Sequence, residues 1–400
     1  MKLAGHTKNA ASPGLLVMAG GLCWFAGLPL APGGSVAVAG EDQTARQLVG
    51  QLIAASRIYD QRQMAVASNQ LARIGKPAVA ALIEALEDVD GNVRWQAIVA
   101  LGRIGAPDAT VATRSLVKAL DDIDPDVRTS AAAALGKLKG REPYVVQSLR
   151  PLTTDPHGQV RCAAWWALWK LADDQQAMGQ LIQLLADKDW MVNQAAGKYL
   201  AMIGAPAVIP LTSALKESPQ QGQAAAAESL AQIGVAAQPA VVALQPLLAH
   251  DQAAVATAAS RALGRIGPAA LPALLQELTR NHPQSRLLAI EAIATMGPQG
   301  AAAVTALIKR LNHPDQQTRR LSIKALGAIG PAAQAAVPEL VKLLAADDAD
   351  LRGATCQALG KLGSSASSAQ QRLEQLASQD PVDFVQRAAR QAARQLASPE

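Results

Sequence analysis

Aromatic side chains are scarce in this chain: two Phe, three Tyr and six Trp among 400 residues, 3% of the total. A core built without them must come from Ala, Leu, Val and Ile, which suits elements that approach closely and repeat. Only three cysteines are present, Cys23, Cys162 and Cys356, which excludes a disulfide-knit scaffold. Histidines number five. There is no Gly-rich phosphate loop, no Gly-x-Ser-x-Gly and no visible nucleophile–base pair, so the common phosphoryl-transfer and acyl-transfer motifs are missing. Net charge is 37 − 32 = +5, mildly basic but without the concentrated patch that nucleic-acid binding demands.

Acids are also missing from the N-terminus, where none precedes Glu41 while Lys2 and Lys8 carry positive charge. The segment LLVMAGGLCWFAGLPL at 15–30 is apolar, broken by Gly and Pro, and Ala37-Val38-Ala39 fits a small-residue cleavage site. These features describe a secretory signal peptide over residues 1–39. An uncleaved anchor is the rival reading, and sixteen apolar residues are short for one. Export to the periplasm or a thylakoid lumen is the expectation, with the membrane touched only through this segment if it is not cleaved. Cleavage would leave a charge of +3, Cys162 and Cys356.

What the chain has in abundance is one phrase. NVRWQAIVALGRIG at 92–105 returns as DVRTSAAAALGKLK at 126–139, QVRCAAWWALWKLA at 159–172, QTRRLSIKALGAIG at 317–330 and DLRGATCQALGKLG at 350–363. Anchored on its last position, the phrase falls at Gly75, Gly105, Lys139, Ala172, Gly204, Gly234, Gly267, Gly297, Gly330, Gly363 and Ala397, in steps of 30 to 34 residues. Such a period marks a quasi-linear array. Each period holds a short helix A, for which PAVAALIEALE at 77–87 is typical, a turn rich in Asp, Pro and Gly, and a helix B closed by a Gly suited to a left-handed cap.

The turn acid and Val-Arg pair in Asp90…Val93-Arg94, Asp124…Val127-Arg128, Val160-Arg161 and Asp348…Leu351-Arg352, each followed by an Ala-rich helix and a Leu-Gly-x-Ile/Leu ending in most units, resemble a HEAT-repeat protein of the bacterial type also seen in phycobilisome lyases. The resemblance covers roughly residues 60–397. It implies an all-α fold, an α-solenoid of about eleven two-helix repeats with helix B on the concave side. The expected layout is residues 1–39 leader, 40–60 capping segment, 61–397 solenoid and 398–400 tail. HEAT-repeat proteins serve as scaffolds, lyases and a few enzymes, so the fold alone names no activity. The di-iron deoxyhypusine hydroxylase of this class uses paired His-Glu motifs, and no His-Glu dipeptide exists here.

Rows of helix B are read by counting back from each anchor. Eleven back stand Arg94, Arg128, Arg161, Arg286, Arg319 and Arg352, an expected inter-repeat ladder that lapses at Asn193, Gln223 and Ala256. Core positions in unit two are Val93, Ala97, Ile98, Ala100, Leu101 and Ile104, and Trp165 takes a core position in unit four. The ten, six and three-back rows share the opposite stripe and are expected to face the concave groove. They hold Trp95, Val99 and Gly102 in unit two, and Cys162, Trp166 and Trp169 in unit four. The six-back row continues as Lys198, Glu228, Arg261, Glu291 and Lys324, alternating in sign, with mutual pairing the plainest reading. The two-back row, Arg73, Arg103, Lys137, Lys170, Arg265 and Lys361, is basic but interrupted, and does not make a nucleic-acid site.

Trp95, Trp166 and Trp169, followed by Lys198, Glu228 and Arg261, are therefore the candidate contact residues. Cys162 and Cys356 read as buried thiols, too far apart in a solenoid for one disulfide. His250, His282 and His313 sit in consecutive A–B turns, too widely spaced to share one metal, and read as turn residues. No metal, cofactor or catalytic residue is assigned. The expected function is an exported, non-enzymatic scaffold or assembly factor that binds another protein on its concave face. The alternative is a phycobilin lyase-like or chaperone-like protein holding a tetrapyrrole and its acceptor.

Overall fold

The structure, a computed structural model, describes residues 38–139 and 142–397. Of the expected leader only Val38 and Ala39 fall within it, and the tail at 398–400 lies outside. The described residues form α-helices and short 3₁₀ turns, arranged as eleven successive A–B pairs. The expected capping segment becomes the helix Val38–Arg57, which serves as helix A of unit one against Gln61–Ile74. The B helices that follow are Gly91–Ile104, Pro125–Leu138, Gly158–Ala172, Trp190–Ile203, Gln220–Ile233, Ala253–Ile266, Pro283–Met296, Gln316–Ile329, Ala349–Leu362 and Asp383–Ala397. The all-α solenoid expected from the period is what the chain forms. Two stretches, Gln220–Ala249 and Pro283–Arg310, are long and apolar enough in composition to cross a membrane; each joins the B helix of one unit to helix A of the next through a 3₁₀ turn.

Local signals explain where each helix begins and ends. Asp90, Asp124, Asp189 and Asp348 cap B helices by accepting the amide two residues on, at 2.8–2.9 Å, which satisfies one of the unpaired first-turn donors. At the far end all eight anchor glycines have positive φ. Their ψ values are not left-handed helical: Gly105 has φ 73° and ψ −172°, an extended mirror-image geometry that a side chain disfavours. The left-handed cap proper occurs where Gly is absent, at Lys139 (φ 56°, ψ 27°) and at Asp173 (φ 51°, ψ 36°), one residue past the Ala172 anchor.

Successive B helices pack directly on one another along the array, and successive A helices touch far less. The array therefore curves toward its B side. Small residues permit the close approach. A Cβ on Gly327 would sit 2.8 Å from the Ala358 Cα, so only Gly fits there. Val93, Ala97, Ile98, Ala100 and Leu101 are fully buried, and Ile104 and Trp165 are partly buried against the same core.

The arginine ladder joins successive repeats at four of its six expected rungs. Arg94 donates Nε and Nη2 to the two carboxylate oxygens of Asp122, both at 2.7 Å. Arg128 does the same to Asp155 at 2.9 and 3.1 Å, and Arg352 to Asp380 at 2.8 and 3.0 Å. Arg161 reaches Asp187 through a single longer contact of 3.6 Å. Each of the four also donates Nη1 to carbonyls of its own A–B turn, as Arg94 does to Asp88 and Val89. Arg286 and Arg319 keep only the turn contacts, because the position that supplies the acid holds His313 and Ala346 in the next units. Across the middle the ladder gives way to neutral bonds such as Gln221 Nε2 to the Asp187 carbonyl, 2.7 Å, and Ser260 Oγ to the Leu288 carbonyl, 2.7 Å.

The histidines act as turn residues. His250 and His313 stand where other units have the turn Asp and accept the amides of Gln252 and Asp315 through Nδ1, at 3.0 and 3.1 Å. His282 accepts the Ser285 amide at 3.1 Å. Cys162 and Cys356 are fully buried thiols, each pushed up to about 12 by burial.

Candidate functional site

The groove is lined by different rows from those the helical wheel assigned. The three-back position is buried wherever it is Gly: Gly102, Gly136, Gly264, Gly327 and Gly360 all face the next B helix. Cys162 and Gly353, ten back, are likewise buried. The two-back side chains Arg73, Arg103, Lys137, Arg265 and Lys361 are exposed, as is Asn69 six back. The solvent stripe is thus rotated toward the two- and six-back rows. The reason is the tight B–B stacking, which claims one flank of each helix that an isolated helix would leave free.

Trp166 is the main correction to the candidate contacts. It is 2% exposed and lies on Gly136, where a Cβ would come 2.6 Å from its ring. Its other face meets Tyr199, centroids 5.4 Å apart at 31°. The ring plugs the gap between the B helices of units three, four and five, leaving its indole N–H without an acceptor. It is packing and offers no surface to a partner. Trp95 and Trp169 are half-buried and pack against the core at the groove edge, and Lys170 Nζ stands 5.5 Å from the Trp169 ring centroid, a cation–π distance. Trp190, which the row reading passed over, is the most exposed described tryptophan at 52%. It opens its helix directly after the cap Asp189, a position outside the rows considered.

The charge row resolves into one pair and several single charges. Arg261 Nη1 meets Glu228 Oε2 at 2.6 Å, with both side chains well exposed, so the pair adds little stability, about 0–1 kcal/mol. Lys198, Glu291 and Lys324 make no ion pair among the described residues. Partial desolvation by the surrounding protein holds the ammonium groups of the solvent-reaching Lys137 and of Lys198 below the ordinary lysine range, and each is lowered further by a neighbouring cation, Arg103 for Lys137 and Lys137 for Lys198. No group of three or more His, Cys, Asp or Glu side chains is placed to hold a metal among the described residues.

A family profile described as HEAT repeats matches residues 47–136, 111–169, 146–231, 210–294, 271–336 and 304–394, nearly the whole described chain. The chain belongs to the HEAT-repeat family. Its fold is shared with the karyopherin Kap121p bound to the extreme C-terminus of the protein phosphatase Cdc14p, at TM-score 0.52 and 13% identity over 89% of this chain and 46% of that one. The HEAT-repeat chain therefore spans about half the length of that karyopherin. Weaker overlays are found with an engineered protein (TM-score 0.36, 24% identity, 80% and 99% covered) and with human deoxyhypusine hydroxylase (TM-score 0.32, 22% identity, 64% and 97% covered). No curated protein matches the sequence.

Proposed function

We propose that this HEAT-repeat protein is an exported, non-enzymatic scaffold or assembly factor that holds another protein along its concave B-helix face. The carrying observation is the succession of that face: eleven B helices stand side by side, with the two-back row exposed at Arg73, Arg103, Lys137, Arg265 and Lys361 and the six-back row exposed at Asn69, Arg261, Glu291 and Lys324, interrupted at the buried Trp166. Such a surface suits many modest contacts spread over a long partner. Kap121p, which shares the fold, is bound to the extreme C-terminus of the protein phosphatase Cdc14p in one structure and to Pho4p in another, and that supports the reading by analogy of fold. Export rests on the leader-like residues 1–39.

The contact residues of the proposal are now Trp95, Trp169, Lys198, Glu228 and Arg261, without Trp166. The tetrapyrrole alternative loses its central stacking ring by the same burial and rests on Trp95 and Trp169 alone. A photo-cross-linker placed at Trp95 on the groove, and at the 75% exposed Ile209 of helix A as control, tests the surface. Cross-linking of a discrete partner from Trp95 and not from Ile209 is expected; the reverse pattern overturns the reading. N-terminal sequencing of the protein from the exported fraction tests the leader, and full-length protein confined to the cytoplasm overturns it. A spectral shift on adding bilin would revive the alternative.

A further inference from the structure

Acidic side chains, more than basic ones, are divided unevenly along the B helices: those of units six to eleven carry four, Glu228, Glu291, Asp350 and Asp383, beside eleven Arg and Lys. The B helices of units one to five carry nine Arg and Lys and a single acid, Asp126. Three of those cations, Arg94, Arg128 and Arg161, are spent on Asp122, Asp155 and Asp187 at the A–B turns. The groove-facing cations Arg73, Arg103, Lys137, Lys170 and Lys198 have no carboxylate partner among the described residues. Their contacts are neutral or repulsive: Arg103 donates to the Asn69 side-chain oxygen, Lys170 lies over Trp169, and Lys137 feels Arg103 and Lys198 as like charges. In units six and seven, by contrast, Glu228 and Arg261 neutralise one another. A row of uncompensated cations held in a concave surface focuses positive potential.

Resting on the concave-face reading above, we propose that units one to five bind an extended acidic segment of the partner protein, laid across the B helices over Arg73, Arg103, Lys137, Lys170 and Lys198. The spacing favours a peptide. Stacked helices set one cation about every 8–10 Å, and a chain in the extended polyproline-II form advances about 3.1 Å per residue with three residues per turn, so every third side chain falls on one face. An acid at every third residue therefore meets successive cations, while Trp95 and Trp169 flank the track with apolar surface. Nucleic acid is served poorly by single cations at this interval, because its phosphates are denser than the row. The chain's own first forty residues contain no acid and do not supply the complement.

Fluorescence anisotropy on the full chain tests this. The probe is a labelled 13-residue peptide with Glu at every third position; a Gln twin and a 13-nucleotide single strand serve as comparisons. The Glu peptide is expected to bind at least tenfold more tightly than its twin and than the oligonucleotide at equal salt. Lys137→Glu with Lys198→Glu is expected to weaken it at least tenfold, and Arg265→Glu with Lys361→Glu, the same charge change in the other half, less than threefold. Equal binding of the twin, a preference for the oligonucleotide, or equal loss in both reversed chains overturns the proposal. The general reading is scored separately through the Trp95 cross-link. If that cross-link survives in the K137E/K198E chain, the concave face stands and the acidic segment falls; its loss there, with the control reversal intact, supports both.

Discussion

The Arg352 guanidinium and the Asp380 carboxylate form a two-point pair, Nε to Oδ2 at 2.8 Å and Nη2 to Oδ1 at 3.0 Å, that joins unit ten to unit eleven with the Asp side chain 1% exposed. The carboxylate also accepts the Val382 amide at 2.9 Å, and Arg352 Nη1 reaches the Ala346 and Asp347 carbonyls. One residue thus fixes its own turn and clamps the terminal repeat. Breaking a buried pair from one side leaves the other charge unmatched, which costs about 3–5 kcal/mol. Arg352→Ala is therefore expected to release unit eleven, read as faster amide exchange over 370–397, with units two to four unchanged. Uniform exchange across the array would contradict this.

The same pairs set a pH dependence. Hydrogen bonds from Arg352 hold the Asp380 carboxyl below the ordinary range against its burial. Burial raises Asp122 and Asp155, but bonds from Arg94 and Arg128 and from the amides of Asp124 and His157 leave both lowered overall. A carboxylate with a depressed folded-state pKa contributes stability above its unfolded value of about 3.9, and that contribution is lost as pH falls through the folded value. Urea midpoints are expected to be flat near neutrality and to fall below about pH 4. Asp122→Asn with Asp155→Asn should lower stability at neutral pH and flatten the acid limb; an unchanged limb would count against the pairs.

Trp166 and Gly136 form a knob and hole. Gly136→Ala drives a Cβ to 2.6 Å from the ring and is expected to cost about 1–3 kcal/mol by overpacking. Trp166→Ala opens a cavity costing about 3–5 kcal/mol. Combining Gly136→Ala with Trp166→Leu should recover part of the first loss, a non-additivity that a surface tryptophan would not produce. Additive costs in chemical denaturation would refute the contact.

Units five to seven lack the charged ladder at Asn193, Gln223 and Ala256. Their inter-repeat links include the neutral Gln221 and Ser260 bonds, in place of two-point charged pairs. Hydrogen exchange over 187–267 is expected to be faster than over 92–172. Equal protection would show that close Ala packing between these B helices replaces the ladder fully.

The period, the eleven units, the arginine row and the turn histidines were legible in the sequence, because each depends on neighbours a fixed number of residues away. Part of the lapse could be read, since Asn193, Gln223 and Ala256 stand in the row where Arg is expected, but Arg286 and Arg319, expected as rungs, reach no acid because the facing positions hold His313 and Ala346. The groove was only half legible. A wheel drawn for one helix places Trp166 beside Trp95, but the wheel has no record of the next helix.

Sequence by itself determined an all-α repeat array, its anchors and the residue type at each rung, since backbone period and capping chemistry are local. Tertiary structure decided which flank of each B helix meets solvent. Curvature presses successive B helices together, buries the three-back glycines, seals Trp166 over Gly136, and turns the two-back cations Arg73, Arg103, Lys137 and Lys170 into the groove. That outcome depends on the stacking angle between repeats, a quantity no single repeat encodes.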